Sequence, residues 1–71
     1  MTDATQDTTV DRFLTFAEVK TIAGLGRTMI YRLIKEGTFP KPYKPGGDAS
    51  RWDAAEVRAW REKVMAERDA A

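Results

Sequence analysis

A mainly α fold with one small β-hairpin is what the chain predicts. Three observations predict it. Two capping signatures, Thr15-Phe16-Ala17-Glu18 and Asp53-Ala54-Ala55-Glu56, each open a run with helical apolar spacing. Gly24-Leu25-Gly26 separates two short helical stretches. Three prolines and a Gly-Gly pair, between Pro40 and Gly47, exclude helix from that stretch.

The elements are taken in chain order. Met1 to about Asp11 is Thr- and Asp-rich with little to bury, and reads as a mobile acidic tail over residues 1–11. Order begins near Phe13. Thr15 and Glu18 form a capping box, with Leu14 and Val19 placed as a hydrophobic staple. Phe16, Val19, Ile22 and Ala23 share one face of a helix of about two turns, which Gly24 ends. Gly26 caps a second helix, Arg27 to Glu36, ending at Gly37. Ile30, Leu33 and Ile34 make its narrow apolar stripe. Two helices joined by a Gly-containing turn form a helix-turn-helix.

Extended segments at about Lys41–Lys44 and Ala49–Trp52 flank the turn Pro45-Gly46-Gly47-Asp48, which reads as a short edge hairpin. Asp53 and Glu56 then cap a third helix to about Arg68, with Val57, Trp60 and Val64 as its buried stripe. The domain is expected over residues 12–68, and 69–71 is a short tail. Trp52, Trp60, Phe13, Phe16 and Phe39 are expected in the core rather than on a base-stacking platform.

Composition narrows the chemistry. With 71 residues the chain holds one domain at most. It has neither Cys nor His, which excludes disulfides, zinc fingers and Cys- or Ser–His–Asp catalysis. Asp53 and Glu56 read as a capping pair, and Gly46-Gly47 lacks the surroundings of a phosphate loop. The expectation is a non-enzymatic binding module without cofactor, metal or small-molecule substrate. No apolar run is long enough for a bilayer, and the polar start does not resemble a signal peptide, so a cytoplasmic, nucleoid-associated location is expected.

The net charge of +1 hides a pattern. Residues 1–19 carry one basic against four acidic side chains, net −3. Residues 20–51 carry seven against two, net +5, and residues 52–71 carry four against five, net −1. A basic middle between acidic ends suits a polyanion. On the second helix Thr28, Arg32 and Lys35 lie opposite the apolar stripe, with Tyr31 and Arg27 to one side. Such a face suits a major groove: Arg32 to guanine, Thr28 to a base edge or phosphate, Tyr31 and Lys35 to phosphate. The solvated side of an ordinary amphipathic helix would carry the same residues. Lys41, Lys44 and Arg51 would make the hairpin a basic wing, with Gly46 and Gly47 letting backbone approach DNA. Lysines placed for solubility around a closing turn are the plain alternative. Taken together, the two signals give a winged helix-turn-helix.

The sequence also resembles a known family. Arg12-Phe13-Leu14-Thr15-Phe16-Ala17-Glu18-Val19 looks like the opening of the AlpA-type phage regulators and excisionases. Gly24-Leu25-Gly26-Arg27-Thr28-Met29-Ile30-Tyr31-Arg32-Leu33-Ile34 resembles their second helix and the turn before it. Phe39-Pro40-Lys41-Pro42, Arg51-Trp52 and Glu56-Val57-Arg58-Ala59-Trp60 resemble the rest of the family's pattern. The resemblance covers about residues 12–63. It implies a small winged helix related to the MerR-type DNA-binding domain. It also implies a role as a transcriptional regulator of a mobile element or as a recombination directionality factor. Carried over by position, Arg27, Thr28, Tyr31, Arg32 and Lys35 form the recognition helix, and Lys44 with Gly46-Gly47 forms the wing. Gly26 stands where the family usually has Ser, and Gly47-Asp48 where a basic residue is common. The implied partners are double-stranded DNA and an integrase; one small domain contacts few base pairs, so further copies of the chain on repeated sites are also expected. The rival reading is a protein-interaction module that docks on an integrase or polymerase, with DNA binding incidental.

Overall fold

The computed structural model describes residues 12–70. The expected acidic tail, residues 1–11, and Ala71 lie outside the described residues. Strand β1 is Phe13–Leu14, α1 is Phe16–Ala23, α2 is Arg27–Glu36, β2 is Trp52–Asp53 and α3 is Ala54–Ala70. This is a winged helix-turn-helix: α1 and α2, then the wing, then a closing helix.

The caps form as their chemistry requires. The Thr15 hydroxyl accepts from the Glu18 N–H at 3.2 Å, and the Thr15 N–H donates to the Glu18 carboxylate at 2.8 Å. Gly24 ends α1 at φ 71° and Gly37 ends α2 at φ 85°, a left-handed conformation that favours glycine. After α2 the Gly37 and Thr38 N–H groups close on the Ile34 and Leu33 carbonyls, the paired bonds of a Schellman stop. Gly26 caps α2 through its backbone alone, with no side-chain bond.

The sheet differs from the expected hairpin. The stretches around Lys41–Lys44 and Ala49–Trp52 meet at a single antiparallel bridge, Tyr43 with Arg51. The turn above it closes from the Gly47 N–H to the Lys44 carbonyl. The prolines explain the shortness, since neither Pro42 nor Pro45 has an N–H to extend a ladder. β2 also pairs with β1, Phe13 opposite Asp53 and Leu14 opposite Trp52. No turn signal announces a pairing so distant in sequence.

The pleat then sorts the side chains. Leu14 and Trp52 face inward at 3% and 0% exposure, with Val19, Ile30, Phe39, Ala54 and Val57. Phe16, Leu33, Ile34 and Trp60 pack around that core. Trp52 satisfies its indole N–H on the Pro40 carbonyl at 3.0 Å. Two expected core positions, Phe13 (45%) and Val64 (43%), are exposed instead, and so is Ile22 (40%) on the apolar face of α1. Phe13 lies one residue from inward Leu14, so the pleat turns it outward against Tyr43, ring centroids 5.8 Å apart. Ile22 sits at the end of α1, and Val64 on the part of α3 beyond its last buried residue, Val57. The second capping box is half formed. Asp53 accepts from the Glu56 N–H at 3.1 Å, but the Glu56 side chain accepts from the Tyr43 hydroxyl at 2.8 Å. A phenol at hydrogen-bond distance takes the carboxylate that the box would have used.

Candidate nucleic-acid interface

Ile30 is fully buried and fixes the roll of α2 about its axis. Arg27, Thr28, Tyr31, Arg32 and Lys35 are all exposed on that helix. Arg32 meets Glu36 one turn on at 3.5 Å, with both side chains more than half exposed. Such a surface pair is worth at most about 1 kcal/mol, so it leaves Arg32 available to a stronger acceptor. Tyr31 is 38% exposed, with one side of its ring engaged by aromatic neighbours. It stacks on Phe16 at 5.8 Å and meets Trp52 edge-on at 6.4 Å. Trp52 adjoins Arg51 of the wing bridge, so this ring cluster ties α2 to the wing stem.

In the wing, Lys41, Lys44, Gly46 and Gly47 are exposed, and Gly47 takes φ 93°. Arg51 stands apart from them. It is half-buried, and its guanidinium donates to the Ser50 carbonyl at 2.9 Å. The wing is held at its base by the Tyr43 hydroxyl on Glu56 of α3. That bond, with the nearby Glu56 charge, raises the Tyr43 pKa above the ordinary phenol value. At the start of α1 the Thr15 N–H and then the Arg12 guanidinium hold the Glu18 carboxyl below its ordinary value.

Two contacts escape sequence reasoning. The Arg27 guanidinium carbon lies 4.3 Å from the centroid of the Phe16 ring, on the neighbouring helix. The Tyr43–Glu56 bond spans two elements. The spacing of residues carries no sign of either. Among the described residues, no group of three carboxylates or other ligating side chains could hold a metal ion. Nor is any described helix long and apolar enough to cross a membrane.

The exposed basic helix, the wing and most of the closing helix lie within the part of the chain that known proteins share. The family described as prophage CP4-57 regulatory protein (AlpA) matches residues 12–65. An uncharacterized protein of Enterobacteria phage P4, ORF88, is 44% identical over 54 residues, which are 76% of this chain and 61% of that protein. The chain thus matches about three fifths of the length of that relative. No solved structure matches significantly. With the family match running from β1 through most of α3, the chain belongs to the AlpA family of prophage regulatory proteins.

Proposed function

We propose that the chain binds double-stranded DNA sequence-specifically, with α2 in the major groove and the wing along the adjacent backbone. The observation that carries this is the face of α2: five exposed side chains able to contact DNA, on a helix anchored by a fully buried Ile30. Arg32 supplies two donors to guanine, and Thr28 reads a base edge. Tyr31, Lys35, Lys41 and Lys44 neutralise or hydrogen-bond phosphates. Gly46 and Gly47 bring backbone close, and Arg51 supports the wing stem. The biological output is either excisionase-like direction of recombination, with an integrase as partner, or transcriptional control of a mobile element. One small domain touches few base pairs, so several copies act on repeated sites, and DNA bending adds specificity. The work is done by binding alone, at the nucleoid in the cytoplasm.

Titration of isotope-labelled protein with duplex DNA, followed by amide shifts, tests the mode. Shifts confined to residues 26–35 and 43–51, fading with salt, support it. No shifts at low salt would sink it and leave docking on a protein as the better reading. Arg32→Ala should relax base discrimination by about 1–3 kcal/mol. Lys44→Ala should weaken all duplexes alike and lower the salt slope by about 1. Equal losses in the two variants would break the assignment of roles.

A further inference from the structure

The two α2 arginines on the exposed face are held differently. Arg32 meets a carboxylate on its own helix. Arg27 reaches back to α1, its guanidinium carbon 4.3 Å from the Phe16 ring centroid and 6.0 Å from that of Tyr31. Phe16 is itself fixed, stacked on Tyr31 and in contact with Trp52 at 5.8 Å. Among the described residues no carboxylate lies within ion-pair distance of Arg27. The ring face attracts the cation without using its N–H donors, which lie around the edge of the guanidinium plane. A long side chain is thereby immobilised before any ligand arrives, while its hydrogen-bonding fork stays open.

We infer that Phe16 is a positioning residue for Arg27, and that the pair is a preorganised clamp for one backbone phosphate of the duplex. The inference rests on the DNA-binding reading above. Phosphate is favoured over guanine by place: a guanidinium folded onto α1 lies between the two helices, not beyond the face of α2. In a helix-turn-helix the first helix crosses the backbone, so the seam between the helices meets phosphate. Aromatic and arginine act as one unit, because ordering the guanidinium in advance removes part of the entropy lost on binding.

The test is a double-mutant cycle on the whole chain with a generic duplex, using Phe16→Leu, Arg27→Gln and both together. Native-like amide spectra establish that each variant is folded. Phe16→Tyr keeps the ring face and serves as the rescue variant. Phe16→Leu should weaken binding about two- to fivefold, the range of an exposed cation–ring contact. Arg27→Gln should weaken it at least as much and lower the salt slope by about 1. The double variant should match Arg27→Gln, and Phe16→Tyr should bind as the parent does. In the free protein, the Arg27 side-chain resonances should lose their ring-current shift in Phe16→Leu and keep it in Phe16→Tyr. Additive losses, or a folded Phe16→Leu that binds at full strength, would overturn the positioning role. A loss at Arg27 that depends on base sequence, with an unchanged salt slope, would overturn the phosphate assignment. Failure of the parent chain to bind any duplex would overturn the DNA-binding reading instead, and the ring-current shift would still report the pair.

Discussion

α2 and the wing, the two arms of the proposed interface, are secured in unlike ways. α2 is set by backbone chemistry at both ends and by the fully buried Ile30 between them. Every residue on its outer face inherits that placement. The wing has one backbone bridge between its two stretches, Tyr43 to Arg51, and a side-chain bond to the closing helix, Tyr43 to Glu56. Its lysines stand on a loop tied to α3 through that phenol and to the core through the Trp52 indole on the Pro40 carbonyl. A rigid arm suits the reading of base edges, where small displacements matter. A lightly tethered arm suits contact with phosphates, which run along the whole backbone and tolerate local adjustment.

Trp52 belongs to both arms, so removing it should erase the contrast. Trp52→Ala deletes a fully buried ring and its bond to the Pro40 carbonyl, at a cost of about 3–5 kcal/mol. A domain this small has little more than that in reserve. Denaturant unfolding should show a chain largely unfolded without denaturant. A native-like midpoint would show that the core does not depend on Trp52.

Tyr43→Phe should separate the arms. It keeps the ring against Phe13 and removes the bond to Glu56. Hydrogen exchange at Tyr43 and Arg51 should quicken about fivefold, while Ile30 and Ile34 stay protected as before. Equal acceleration in α2 would mean that the two arms open together.

Acid should act on the capping box that opens α1. The Glu18 carboxyl is held below its ordinary pKa in the fold, so its contribution is complete above the unfolded value. That contribution is lost as pH falls through the lower, folded value. Melting temperature measured down through this acidic window should drop less in Glu18→Gln than in the parent. Identical pH profiles would remove the capping box from the pH response. The smallest effect is expected from Gly26→Ser, which adds the missing side-chain cap where φ is −85° and a Cβ meets open space. A gain of a few tenths of a kcal/mol in chemical unfolding is expected, confined to α2. A loss would show that the bare cap is needed for the turn.

Local chemistry makes α1 and α2 legible. Thr15, Gly24, Gly26 and Gly37 act within a few residues of themselves, and each does in the fold what its type predicts. What spacing cannot show is contact between distant segments. β1 is two residues long and pairs with β2 from the far side of the domain, so the outward turn of Phe13 is hidden with it. Asp53, three residues away, makes Glu56 look like a cap; the competing phenol thirteen residues away leaves no local mark. Val64 fits the helical stripe, yet α3 runs past the part of the core that would have covered it. Among the candidate site residues, exposure on one helix follows from periodicity. The turning back of Arg51 onto Ser50 and of Arg27 onto Phe16 does not.

The placement of the two tryptophans also has an optical side. Trp52 is sealed from water with its indole N–H bonded, and Trp60 is half-buried, edge-on to Phe39 at 4.7 Å. Neither lies on the exposed face of α2. Emission should therefore be blue-shifted in the folded chain and move red as the core opens. Duplex DNA on the outer face of α2 should quench it little. Intrinsic fluorescence thus becomes a meter of folding that is nearly blind to ligand, so a variant that fails to bind can be told from one that fails to fold in the same cuvette.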